Sequence, residues 1–217
     1  MSQSTDKSQS LKTIDLFAGV GGIRLGFEQA GFTTAFANDV EPKCKTTYDL
    51  NFTEPKLLIE DIRKIKPTDI PDASILLGGF PCQAFSIAGK QQGFEDDQGR
   101  GNLFFYIHEI LKVKRPKVVL LENVKNLVNH DKGNTFAVIK EMLQQLGYHL
   151  RYEVLNSFNH GGVTQNRNRI FILGFLDKAK ADAFRFPTPL QSVKQSVLEP
   201  TVNDQYYYKP SSAIYPK

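Results

Sequence analysis

Between residues 11 and 180 the chain alternates short apolar runs with longer stretches whose apolar positions recur at helical spacing. Residues 11–17 predict a buried strand and residues 22–30 a helix. Residues 33–37 predict a second strand, and residues 42–50 a helix that opens with Pro42 in its first turn. Residues 56–59 and 73–77 read as further short strands. Residues 102–113 read as a helix, and the run KVVLL at 117–121 as a strand apolar enough to be buried on both faces. Residues 135–146 line up Phe136, Ile139, Met142, Leu143 and Leu146 along one side of a helix, and Gly147 suits its end. Residues 148–155 alternate as a strand, and residues 169–175 form the last one. This alternation implies an α/β fold, a doubly wound and mostly parallel sheet with helices on both faces.

Composition sharpens that picture only at the ends. With 217 residues, 41% of them hydrophobic, the chain can bury the core of a single domain. Residues 1–10 are polar and predict a flexible lead-in, so the ordered domain is expected over 11–186. Beyond it Pro187, Pro189, Pro200, Pro210 and Pro216 punctuate a stretch with few periodic apolar residues, the pattern of an extended arm over 187–217. Tyr206, Tyr207, Tyr208, Ile214 and Tyr215 on that arm suit an interface better than water. No apolar run approaches membrane-spanning length and the first residues form no signal segment, so a cytoplasmic protein without membrane contact is expected. Cys44 and Cys82 cannot make a disulfide framework, and four histidines without a nearby cysteine argue against a metal site. A net charge of +4 allows a nucleic-acid partner without demanding one.

Two glycine-rich segments carry the candidate chemistry. The first, Asp15-Leu-Phe-Ala-Gly-Val-Gly-Gly22, falls where the first strand gives way to a helix, the place where nucleotide-like ligands meet a helix N-terminus. Gly19, Gly21 and Gly22 allow a sharp bend and a close approach, while Arg24 occupies the third glycine's place in the dinucleotide fingerprint. Asp39 is expected after the second strand, where a carboxylate can accept from both ribose hydroxyls, and Asp61 after the third, within reach of an adenine amino group. A turn that merely packs helix on strand is the alternative.

The second segment, Gly78-Gly-Phe-Pro-Cys-Gln-Ala-Phe-Ser86, follows the fourth strand and runs into a long polar loop ending near Gly101. Cys82 on its Pro-Cys turn is placed as a nucleophile, whereas Cys44, inside a helix, suits a small buried hydrophobe. Glu122, at the end of KVVLL, opens onto the same sheet edge and offers acid or hydrogen-bonding chemistry. Arg167 and Arg169, two apart on extended chain, share a face suited to an anion or a base carbonyl.

Taken together, DLFAGVGG (15–22), GFPCQAFS (79–86), ENV (122–124) and QNRNR (165–169) resemble the cytosine-5 DNA methyltransferase family in order and spacing, with Asn38-Asp39 and Asp61-Ile62 between them. The likeness covers about residues 11–180. It implies a Rossmann-like enzyme of a restriction–modification system that transfers a methyl group from S-adenosylmethionine to carbon 5 of a flipped-out cytosine in double-stranded DNA. S-adenosylhomocysteine is the implied product, and no metal is implied. By the same resemblance Cys82 is the nucleophile, and Glu122, Arg167 and Arg169 complete the catalytic set. Phe17, Gly19, Gly21, Gly22, Asp39, Glu41, Asp61, Ile62, Pro81 and Leu103 would form the cofactor site. Gln83, Ser86, Lys90, Arg100 and Asn123 would face the substrate, and the loop over 83–101, with Ser86, Lys90 and Arg100, would close over the base.

The family pattern continues past this point with a target-recognition region and a last helix that completes the cofactor site, and neither is recognisable here. One subunit of a split enzyme, needing a second polypeptide for recognition, is therefore expected ahead of a truncated fragment or a standalone enzyme. A tRNA-methylating relative and a non-catalytic assembly subunit stay open. A Rossmann-like oxidoreductase is disfavoured by Arg24 and leaves Cys82 without a use.

Overall fold

The computed structural model describes residues 11–81 and 103–190. The expectations for residues 1–10, for Cys82 and the loop after it, and for the arm from 191 onward lie outside the described residues. The strands are β1 (Lys12–Leu16), β2 (Thr33–Asp39), β3 (Leu58–Ile59), β4 (Ile75–Gly78), β5 (Val118–Val124), β6 (His149–Asn156) and β7 (Asn168–Phe175). The α-helices among the described residues are α1 (Gly22–Gln29), α2 (Pro42–Asn51), α3 (Leu103–Lys114), α4 (Asn134–Gln145), α5 (Ser157–Gly161) and α6 (Lys178–Ala183). The seven strands make one sheet in the order β3-β2-β1-β4-β5-β7-β6. From β3 to β5 each neighbouring pair is parallel, and β7 runs antiparallel to β5.

Alternation along the strands sorts side chains to two faces. Ile14, Leu16, Leu76, Val119, Leu121, Ile170 and Ile172 point to one face and pack on Phe104, Ile107 and Leu111 of α3 and on Phe136, Ile139 and Leu143 of α4. Burying each such side chain is worth about 1.5–3 kcal/mol. On the other face Ala37 meets Tyr48 of α2 and Phe52, the residue that follows the helix, and Leu173 and Phe175 meet Ala181 of α6. The strand expected to be buried on both faces is fully buried on one only. Val119 and Leu121 are sealed, whereas Val118 and Leu120 are half-buried beside the α6 cluster.

Element boundaries differ where tertiary pairing outruns the apolar pattern. β5 continues past Leu121 because β7 pairs with it, Glu122 opposite Phe171, Asn123 opposite Ile170 and Val124 opposite Arg169. Glu122 therefore sits within a strand rather than after one. β2 likewise ends on Asp39 itself, and β3 contracts to two residues. Helices α5 and α6 are too short and polar to show in the pattern.

Arg24, which broke the dinucleotide fingerprint, is a buried hub at 1% exposure. Its guanidinium donates to Glu28 at 2.7 Å, to the Tyr48 hydroxyl at 3.0 Å, and to the carbonyls of Pro55 and Glu54 at 2.9 and 2.6 Å. It also lies 4.2 Å from the centre of the Phe52 ring. Burial of a charge is tolerated when its donors are used this fully. The hub joins α1 to α2 and to the segment leading into β3.

The chain divides into two units, Met1–Leu155 with Asn168–Pro187, and Asn156–Arg167 with Thr188–Lys217. In the second unit Asn156 caps α5 by accepting from the Phe158 N–H, its amide donates to Asn166 at 2.6 Å, and Leu190 N–H donates to the Asn159 carbonyl.

Gly21 caps α1 at φ 89°, and a β-carbon there would lie 2.2 Å from the Phe52 ring. Gly21→Ala is expected to destabilise the chain by roughly 2–4 kcal/mol, combining left-handed strain with overpacking. Among the described residues no neighbouring group lies within 4 Å of the corresponding position at Gly22. Gly22→Ala should therefore leave the urea midpoint within about 0.5 kcal/mol of the parent or raise it. Equal losses in the two variants would contradict this assignment.

Candidate active site

Three strand exits of the first unit converge. β1 ends at Leu16 and the chain turns at Phe17, whose φ of 55° is left-handed, as is that of Gly19. β4 ends at Gly78, and a β-carbon on Gly79 would lie 3.6 Å from Glu122 Oε2, 3.7 Å from the Ile23 side chain and 3.8 Å from the Phe17 carbonyl. Gly79 thus brings the start of the cysteine segment against Glu122 and the first glycine turn. Arg169 Nε lies 2.8 Å from Glu122 Oε1, with both side chains about one-fifth exposed. The pair follows from the register, since residues two apart on β7 share a face and Phe171 lies directly opposite Glu122.

Asn123 points to the other face of β5 and is 2% exposed. Its amide donates to the Phe80 carbonyl at 2.8 Å, and its oxygen accepts from the Val124 N–H. Phe80 is itself buried, its ring 5.8 Å from that of Phe104. Pro81, the next residue, is exposed, and Leu103 at the start of α3 packs partly on the core. Cys82, Gln83, Ser86, Lys90 and Arg100 lie outside the described residues.

A second group gathers beside the glycine turn. Asp39 bridges it, accepting from Gly19 N–H through one oxygen and from Glu41 N–H through the other, each at 2.8 Å. Glu41, exposed, caps α2 through the Lys43 N–H. Asp61 caps a short turn and chelates Arg63 with both oxygens, and that guanidinium holds its carboxyl below the usual carboxylate range. Ile62 is 3% exposed in the main core. Among the described residues no neighbouring side chain or strand comes within 4 Å of a β-carbon built on Gly19 or Gly22, whereas Gly21 is explained by its left-handed φ of 89° and its packing on Phe52. Arg167 is exposed and belongs to the second unit, Arg169 to the first.

Two polar residues carry more than the pattern assigned them. Asn38, buried at 2%, donates to the carbonyls of Leu58 and Glu60 and so ties the short β3 to β2. An asparagine inside a strand is the signal that marks it. Asp15 is 1% exposed, and neither of its oxygens has a hydrogen-bond partner among the described residues. Burial is the chief cause pushing its carboxyl up to about 7; Arg24 opposes the rise and Asp39 adds to it.

That shift has a stability consequence. The folded chain holds the Asp15 proton up to about pH 7, while the unfolded chain releases it near the ordinary value of 3.8. Stability should therefore fall as pH rises from about 4 to 7, by at most about 1.4 kcal/mol per unit from this group. In Asp15→Asn the fall in urea midpoint between pH 5 and 8 is expected to shrink. An unchanged fall would assign the effect to another group.

The C-5 cytosine-specific DNA methylase family matches residues 11–214. The chain is 48% identical over 203 residues to the type II methyltransferase M.Bsp6I of Bacillus sp. (strain RFL6), covering 91% of this chain and 64% of that protein. It is 54% identical over 179 residues to the type II methyltransferase M.HaeII of Haemophilus aegyptius, covering 82% of this chain and 54% of the other. The chain thus spans little more than half the length of such relatives. In fold it resembles DNMT2 of Spodoptera frugiperda, with a TM-score of 0.67 at 22% identity over 90% of this chain and 62% of that one. It also resembles the Dnmt2 methyltransferase of S. pombe, with a TM-score of 0.62 at 23% identity over 76% and 51%. On the match across residues 11–214 and these identities, the chain belongs to the C-5 cytosine-specific DNA methylase family.

Proposed function

We propose that this chain carries the catalytic part of a DNA (cytosine-5)-methyltransferase dependent on S-adenosylmethionine. The observation that carries the reading is the Glu122 carboxylate 3.6 Å from the β-carbon position of Gly79, three residues ahead of Cys82 in sequence. When bound, S-adenosylmethionine supplies an electrophilic methyl group. The open space at Gly19 and Gly22 fits such a ligand's approach to the backbone. Phe17 would lie on its adenine, with Asp61, Ile62, Pro81 and Leu103 around the ring. Asp39 and Glu41 would hold the ribose; each Asp39 oxygen accepts one backbone N–H and keeps a lone pair for a hydroxyl.

Carbon 5 of cytosine is a poor nucleophile, and the proposed residues change that. The thiolate of Cys82 would form a bond to carbon 6 and push an electron pair onto carbon 5, which could then bond the methyl carbon as that carbon's bond to the sulfonium sulfur breaks and S-adenosylhomocysteine leaves. Glu122 hydrogen-bonds the ring at nitrogen 3 and at the amino group, absorbing the charge that develops. Arg169 and Arg167 hold the base carbonyl and the flanking backbone. Loss of the carbon-5 proton to a base expels Cys82 as thiolate and restores the aromatic ring. Neither reacting carbon is accessible inside a duplex, so the base must leave the stack. Gln83, Ser86, Lys90 and Arg100 would act on the flipped base and its strand. A second polypeptide carrying target recognition belongs to the same proposal, and the tyrosines at 206–208 supply a surface for it.

The test is covalent capture. Duplex DNA containing 5-fluorocytosine, offered with S-adenosylmethionine and the recognition half of a relative, should become attached to the peptide bearing Cys82. Cys82→Ser should abolish the adduct, and Glu122→Gln should slow its formation more than it weakens cofactor binding. Asp39→Ala should do the reverse, costing roughly 1–3 kcal/mol of cofactor affinity by calorimetry. An adduct on Cys44, or capture that persists in Cys82→Ser, would overturn the assignment.

A further inference from the structure

We infer that Asn123 is a positioning residue for Cys82, acting through the main chain rather than by touching the base. The inference rests on the reading of Cys82 as nucleophile, but the observation behind it is separate. The parallel ladder between β4 and β5 stops at the pair Gly78 and Leu121. Beyond that point β5 continues against β7, while the other chain leaves the sheet towards Pro81. The Phe80 carbonyl lies two residues past the end of the ladder and is buried, and a buried carbonyl needs a donor. Asn123 supplies it across 43 residues of sequence, its amide taking the place that a ladder N–H would have filled.

Two further contacts make this bond a reference point. The Phe80 ring is locked in the core against Phe104, and Gly79 lies against Glu122. Glu122 and Asn123 are neighbours on opposite faces of one strand, so a single dipeptide carries both the acid and the clamp on the turn that leads to the thiol. Both polar atoms of the Asn123 side chain are occupied by main-chain groups, which explains an asparagine here rather than a second acid. Loss of the clamp frees the 79–81 turn to shift relative to Glu122, and small misplacements of reacting groups are costly.

The test uses the full chain and needs no DNA. Alkylation by iodoacetamide is followed at Cys82 and Cys44 by peptide mass spectrometry in the parent, Asn123→Ser and Asn123→Asp. Serine keeps a polar partner for Val124 but cannot reach Phe80, and aspartate keeps the shape but presents no donor. Both variants are expected to speed alkylation of Cys82 by about fivefold or more as the turn opens locally, with Cys44 changed less than about twofold. An unchanged Cys82 rate in both variants overturns the inference, as does parallel acceleration at both cysteines, which marks general loosening. Failure of the nucleophile reading would appear elsewhere, as absence of covalent capture by the unsubstituted chain with its recognition half, and would leave the alkylation result standing.

Discussion

Arg169 and Glu122 meet where β7 reverses direction alongside β5, and most of the site depends on that meeting. From β3 to β5 every neighbouring pair is parallel, whereas β7 returns antiparallel alongside β5 and holds it in the sheet through Val124. Without that partner β5 would end with β4, and Glu122 and Asn123 would lie in a loop. With it they project from a rigid strand, one to each face. The ion pair across the two strands, at 2.8 Å and largely shielded from water, fixes the end of the overhang. Charge-assisted bonds of this kind are stronger than neutral ones and gain from partial burial.

The opposite wall is built by a different economy of charge. Asp39 spends both oxygens on backbone N–H groups, and so binds the glycine turn to the start of α2. Arg24 spends its donors on Glu28, Tyr48 and two carbonyls, and so binds α1 to the segment before β3. Asp15 is buried beneath these bonds with no hydrogen-bond partner among the described residues, and burial is the chief cause that keeps its proton on up to about pH 7. A family resemblance in the glycine turn predicts where a ligand lies; these bonds show what keeps the turn in place for one.

The α/β architecture was legible because its strands and long helices are written in apolar periodicity. The apolar pattern predicts the seven strands and the four longest helices of the described residues, with boundaries shifted by a few residues. The errors share a cause. The ends of β2 and β5 carry polar residues, Asn38-Asp39 and Glu122-Asn123, and only pairing with distant strands makes those residues part of the sheet. The convergence of Gly79 with Glu122 was expected from the motifs, whereas the partnership of Asn123 with Phe80 was not, because 43 residues separate them and no local pattern links them. In the sequence Arg24 is only a departure from a fingerprint, since a lone arginine in a helix gives no sign that its partners lie in another segment.

A double-mutant cycle on Glu122 and Arg169 tests the dependence on the β5–β7 ion pair most directly. The urea unfolding free energy is measured for the parent, Glu122→Gln, Arg169→Met and the double variant. The ion pair should appear as a coupling energy of about 1–2 kcal/mol between the two positions. Additive losses, with a coupling near zero, would show that the overhang of β5 stands without the pair and would contradict this account.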